Sequence, residues 1–129
     1  MSRRFEVSSR VESFGHAIRG LNYLLRSQHN AWIHAVLTLM VIALGFCVGL
    51  AASEWCWIIV AAVLVWSAEA LNTAVELLAD TITKDFHPLI GHAKDIAAGA
   101  VLLSAIGASI IGVIVFWPHV RDLLPVSVP

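Results

Sequence analysis

Two long tracts without a single Asp, Glu, Lys or Arg constrain this chain more than anything else in it: Ser27–Ser53 and Ile96–Val120. A helix needs roughly 20 mostly apolar residues to cross a bilayer, so each tract has room for one span, expected at about 33–52 and about 97–117. Between them, Trp55 to Ala79 is as apolar but carries Glu69, Asn72 and Glu76. It predicts a second span over about 55–79, the last turns of which leave the hydrocarbon. Composition agrees. Apolar residues make up 59% and charged residues 13% of the 129, with a mean hydropathy of +0.83, against about 45–50% and about 25% in a soluble domain. The formal net charge of −1 argues against a nucleic-acid partner. Cys47 and Cys56 are too few for a disulfide framework. Residues 1–129 are therefore read as one all-α integral membrane domain.

Ahead of the first span, Phe14, Ala17, Ile18, Leu21, Leu24 and Leu25 recur at helical spacing, with Glu12, Arg19, Asn22 and Arg26 between them. That alternation predicts an N-terminal amphipathic helix over about 8–27, lying on the membrane surface with its arginines toward lipid phosphates. A segment of this length, with five arginines, does not resemble the short basic start of a cleaved signal peptide. Arg3, Arg4, Arg10, Arg19 and Arg26 precede the first span, and Lys84 and Lys94 follow the second; the Ala51–Glu54 connection has no basic residue. The positive-inside rule thus places the N-terminus and the 81–95 loop in the cytoplasm, with Trp55, Trp57 and Trp117 at the opposite interface. The tail from His119, with Pro125 and Pro129, is expected to be irregular. Ala100, Ser104, Ala108 and Gly112 form a stripe of small residues, and Gly45 and Gly49 a GxxxG. Both permit close helix contact, within the chain or between copies of it, and predict a homo-oligomer.

The chemistry-bearing stretch is Ser67–Asp80. With Glu69 at zero on a wheel of about 100° per residue, Asn72 falls near −60°, Thr73 near +40°, Glu76 near −20° and Asp80 near +20°. Carboxylates and an amide thus share one narrow stripe roughly 16 Å long. Ionisable residues inside a span are costly and tend to line a cavity or a pathway. Glu69, three turns from the cytoplasmic end, is placed to act as general base toward a hydroxyl delivered from the bilayer. Glu76 and Asp80 lie nearer water, with oxygen ligands suited to a hard cation such as Mg²⁺; Asn72 could hold a carboxylate or a metal-bound phosphate in register. The alternative is a hydrogen-bond lock between helices of an oligomer. Lys84 and Lys94 could meet polyphosphate as point charges, Asp95 could cap the third span or hold Lys94, and His87 could stack on or hydrogen-bond a base. His87 and His92 are five apart, a poor spacing for a metal on one helix. No Gly-rich phosphate loop is present.

Glu69-Ala-Leu-Asn72-Thr-Ala-Val-Glu76-Leu-Leu-Ala-Asp80, followed by His87-Pro-Leu and Ala93-Lys94-Asp95-Ile-Ala-Ala-Gly-Ala-Val-Leu-Leu, resembles the prokaryotic diacylglycerol kinase family. Asn30 and Ile33-His34 at the entry to span one, with the His87-Pro-Leu and Ala93-Lys94-Asp95 runs, make it more similar to the undecaprenol kinase branch. The resemblance covers about residues 10–118. It implies a homotrimer with a surface helix and three spans in the bacterial inner (cytoplasmic) membrane. It also implies transfer of the γ-phosphate of Mg²⁺-bound ATP to a membrane lipid alcohol. By motif it implies Glu69 as proton acceptor with Asn72 beside it, and Glu76 as metal ligand and ATP contact. Asp80, Lys94 and Asp95 would join the polar catalytic cluster, Asp85, Phe86 and His87 the adenine and ribose end, and Arg10 and His16 a further nucleotide contact.

One position departs from the pattern. Where the family commonly carries a metal-binding glutamate ahead of the first span, this chain has Gln28. An amide oxygen can still ligate Mg²⁺ but brings no charge, so metal affinity should fall. The Val usual before the last Asp is Ala79 here, a small apolar change. Two other readings compete with a lipid kinase: a small proton-coupled transporter built on Glu69, and a non-catalytic lipid-binding or regulatory relative in which Gln28 marks a lost metal site. Transport sites usually centre on the bilayer midplane, whereas these polar residues gather toward one pole.

Overall fold

The computed structural model describes residues 7–85 and 87–123; within helices, side chains are described from Arg10. All regular structure among these residues is helical: α1 (Val7–Ser27), α2 (His29–Val48), α3 (Ala52–Ile82) and α4 (Pro88–Leu123). The last three are long and apolar enough to cross a membrane. They leave most large apolar side chains exposed, Leu103 at 73% and Phe46 at 74% among them. In lipid this is no liability, since hydrocarbon is as apolar as leucine and only the backbone must be satisfied internally.

Each helix outruns its expected span at one end or both, because polarity marks where the membrane stops and not where the backbone hydrogen bonds stop. α2 begins at His29, about one turn before the expected 33, and stops at Val48 instead of 52. Gly49 ends it in the left-handed region at φ 71°, a conformation that favours glycine. The Leu50 amide donates to the Gly45 carbonyl at 3.0 Å, which completes the turn. α4 begins at Pro88, not near 97: the His87 carbonyl accepts the Gly91 amide at 3.0 Å, and proline suits the first helical position. Most of the expected 81–95 loop is thus helix, and Asp95 lies inside α4 instead of capping it. At the other end α4 continues through Pro118 to Leu123, so the expected irregularity from His119 is corrected as far as Leu123; Pro125 and Pro129 lie outside the described residues.

α3 and α4 form the principal antiparallel pair, and α2 and α1 pack on α3. Two polar pairs pin α3 to α4: Lys94 donates to Asp80 at 3.0 Å, and His119 Nε2 meets Glu54 Oε1 at 3.0 Å. At 1.5 Å per residue these pairs lie about 39 Å apart along α3 and about 38 Å along α4, so the helices match in register. Either spacing exceeds the roughly 30 Å hydrocarbon core. Glu54 also accepts the Ala51 amide at 2.7 Å, closing the turn into α3.

Near that pole, Leu50, Ile58 and Val115 form the buried cluster, with Trp55, Ile111 and Phe116 packed on it. Gly45 touches the Trp55 ring so closely that an added Cβ would lie 2.7 Å from it. The GxxxG therefore divides into two local duties within the chain, Gly45 admitting Trp55 and Gly49 turning the helix end. Gly45→Ala should destabilise by about 1–3 kcal/mol through overpacking. Trp55→Leu in the same background should recover part of that, read as the thermal midpoint in detergent.

Candidate active site

α3 is the most buried of the three long helices, and its buried face, apolar from Ile58 to Val65, turns polar at Glu69, Asn72 and Thr73. Glu69 is 1% exposed, Thr73 4% and Asn72 6%, all on the stripe that helical periodicity defines. Glu76 is half-buried and Asp80 exposed, so the stripe runs from the interior outward over three turns.

The carboxylate of Glu69 meets α2. Its Oε2 stands 3.7 Å from His34 Nε2 and has no hydrogen-bond partner. The rings of His34 and Trp66 meet in a T-shaped contact, with centroids 6.4 Å apart, and Trp66 Nε1 donates to Thr38 Oγ1 at 3.1 Å. A chain of polar and aromatic contacts thus holds α2 against α3 beside the carboxylate. His34 enters the sequence reading only through resemblance, with no role. Counting Asp, Glu, Lys and Arg alone passes over a histidine in an apolar tract.

One turn on, Asn72 Nδ2 donates to Glu76 Oε1 at 3.0 Å, leaving Asn72 Oδ1 buried without a partner. Three buried oxygens within five residues therefore lack partners: Glu69 Oε2, Asn72 Oδ1 and Thr73 Oγ1. Buried polar atoms are nearly always paired, and their clustering marks a place for polar atoms of another molecule. Farther out, Lys94 of α4 joins Asp80, with Asp95 exposed beside it.

The remaining sequence-derived residues are spread around this pole. Gln28 is half-buried at the junction of α1 and α2, in extended backbone, and makes no capping bond. Arg10 and His16 are exposed on α1, where His16 Nδ1 lies 3.1 Å from Arg19. Asp85 and His87 are exposed in the α3–α4 connection, Asp85 donating its amide to Thr83 Oγ1 at 3.0 Å. Phe86 lies outside the described residues. Among the described residues, no three His, Cys, Asp or Glu side chains gather as a metal cage. Mg²⁺ rarely needs one, since it binds through one or two carboxylates plus water and substrate phosphates. Glu76 and the unpartnered Asn72 oxygen are donors of the right hardness for that mode.

Two cavities lie along α3. One of about 510 Å³ opens between α2, α3 and α4, from His34 to Phe46 and Trp55, with Ala105, Ala108 and Gly112 on its α4 side. The other, about 600 Å³, lies between α1 and α3 and is lined by Tyr23, Thr73 and apolar residues.

Over residues 15–116 the sequence matches the family model described as prokaryotic diacylglycerol kinase. The chain belongs to the prokaryotic diacylglycerol kinase family. Among its relatives, an undecaprenol kinase of Bacillus subtilis is 41% identical over 115 residues, covering 89% of this chain and 94% of the relative. A diacylglycerol kinase of Synechocystis is 37% identical over 113 residues, covering 87% and 65%. A diacylglycerol kinase of Escherichia coli is 31% identical over 123 residues, covering 88% and 98%. The family and the kinase activity read from the ExxNTAxE…D and AKD motifs are thus met, as is a multi-pass membrane protein. Neither a transporter nor any other alternative gains from these relatives.

Proposed function

We propose that this lipid kinase transfers the γ-phosphate of ATP, with Mg²⁺, to a membrane alcohol at the cytoplasmic face of the bacterial inner membrane. The acceptor is a polyprenol such as undecaprenol, with a diacylglycerol as the second candidate. The observation that carries the reading is the buried Glu69 carboxylate, with a free oxygen at the inner end of a stripe that emerges beside Lys94. Glu69 accepts the proton of the acceptor hydroxyl. His34 steadies its carboxylate, and Asn72, tied to Glu76, offers an amide oxygen to the same space.

Glu76 and Gln28 would hold Mg²⁺, which when bound neutralises charge on the phosphates. Lys94 turns from Asp80 to the polyphosphate, with Asp80 and Asp95 keeping it near. Arg10, His16, Asp85, Phe86 and His87 form the nucleoside end. Phosphoryl transfer asks mainly for positioning and charge neutralisation, which this arrangement supplies.

In the assembly, residues 1–129 act as one domain and three copies associate. The small residues of α4 lining the α2–α3–α4 groove offer a surface for close helix contact between copies. α1 lies on the membrane with Phe14 and Ile18, both well exposed, turned to lipid, and the N-terminus is cytoplasmic.

The test is phosphorylation in mixed micelles with Mg²⁺ and ATP, offering undecaprenol and diacylglycerol separately. Label in one lipid identifies the acceptor. No label in either, from folded oligomeric protein, would sink catalysis and leave a non-catalytic relative.

A further inference from the structure

We infer that Trp66 and Thr38 are positioning residues for the base: joined to each other between α3 and α2, they hold the imidazole of His34 against the Glu69 carboxylate. The inference rests on the reading of Glu69 as proton acceptor and adds the device that fixes its carboxylate in place.

His34 and Thr38 are four apart on α2, and Trp66 and Glu69 are three apart on α3. Either spacing is about one helical turn, so each pair shares a face. As numbering rises from His34 to Thr38 it falls from Glu69 to Trp66, and the contacts keep that antiparallel register. His34 Nε2 lies 3.7 Å from Glu69 Oε2, and Thr38 Oγ1 accepts the Trp66 indole N–H at 3.1 Å. The T-shaped contact of the His34 and Trp66 rings joins the two rungs diagonally. Four side chains thus close a small ladder between the helices.

The rungs differ in kind. The indole N–H belongs to a helix long and apolar enough to cross a membrane, where an unpaired donor is costly, and Thr38 satisfies it. That rung is a fixed point. The other, at 3.7 Å, is longer than a hydrogen bond. With its proton on Nε2, the imidazole attracts the carboxylate without occupying the lone pair with which Oε2 takes a proton. A contact of that length is set by whatever holds the imidazole. His34 and Thr38 both line the 510 Å³ cavity, so the ring has open space on one side, and the Trp66 ring braces it from α3. Trp66 and Thr38 therefore act on the carboxylate through His34. Misplacing a reacting group by about 1 Å can cost about a hundredfold in rate, so a small loosening of this brace is enough to be read in turnover.

The test uses full-length protein carrying Thr38→Val, Thr38→Ser, Trp66→Phe, or Thr38→Val with Trp66→Phe. Thr38→Val keeps the shape and removes the acceptor; Trp66→Phe keeps an aromatic ring and removes the donor. In mixed micelles either change should lower kcat about tenfold with the KM for ATP within twofold, and Thr38→Ser, which keeps the oxygen, should recover most of the loss. The double variant should be no slower than Trp66→Phe, because both changes break one link. The indole N–H resonances of the five tryptophans give a readout independent of turnover. Trp66→Phe identifies the Trp66 signal by its loss. Thr38→Val and Glu69→Gln should both shift that signal, and Thr38→Ser should leave it near the wild-type position. Wild-type kcat in Thr38→Val would overturn the inference, as would equal impairment by Thr38→Ser or multiplying losses in the double variant. A Trp66 signal unmoved by Glu69→Gln would overturn it too, by showing that the ladder stops short of the carboxylate. Wild type that transfers no phosphate to either lipid would refute the kinase reading, while the resonances still judge the ladder.

Discussion

Glu69→Gln should abolish measurable phosphorylation of either lipid while the protein folds and assembles as before. The substitution keeps the shape of a side chain that is 1% exposed and removes only its capacity to take a proton. General-base catalysis is typically worth about 10²–10⁴-fold, so turnover should drop by at least about a hundredfold. Stability should move the other way or not at all. A buried carboxylate with one unpartnered oxygen, 3.7 Å from a single imidazole, is poorly compensated, and a neutral amide carries less desolvation penalty. ATP binding, followed by protection from thermal unfolding, should persist, because Glu69 is not among the phosphate-side groups. Glu69→Gln protein that retains wild-type turnover would remove the base assignment. Loss of folding together with turnover would show Glu69 to be a structural lock between helices.

The site was legible to the extent that it obeys helical periodicity. Glu69, Asn72, Thr73 and Glu76 fall on one stripe at about 100° per residue, the first three buried and the last half-buried. What periodicity could not supply was the partner across the gap. His34 lies thirty-five residues away on α2, and only the packing of α2 on α3 brings it to Glu69. Helix ends were not legible from the apolar tracts, because glycine and proline set them elsewhere. Gly49 stops α2, and Pro88 starts α4 well before the apolar tract begins. Pro118 did not stop α4, where the His119–Glu54 pair ties the following turn to α3. Gly45 looked like half of a helix-pairing motif, yet what it accommodates is a tryptophan of the same chain. Small-residue spacing says that something approaches closely, not what approaches.

Glu76→Gln should raise the Mg²⁺ concentration for half-maximal activity at least about tenfold, because a hard dication then loses the charged ligand proposed for it. The consequence is larger here than a single ligand would suggest, since Gln28 offers an amide where the family commonly offers a second carboxylate. Glu76→Gln also leaves Asn72 Nδ2 with a neutral acceptor at the same place, so the 3.0 Å contact can survive and the loss is mainly of charge. Gln28→Glu should act in the opposite direction, lowering the Mg²⁺ requirement by restoring a carboxylate at the half-buried α1–α2 junction. Combining the two changes keeps the number of carboxylates constant and moves the charge from α3 to that junction. If Gln28 and Glu76 share one ion, the double variant should need less Mg²⁺ than Glu76→Gln alone, and the two effects should depart from additivity. Strictly additive Mg²⁺ titrations would place Gln28 outside the metal site. An unchanged titration in Glu76→Gln would withdraw its ligand role and shift attention to Asp80 and Asp95 at the Lys94 end.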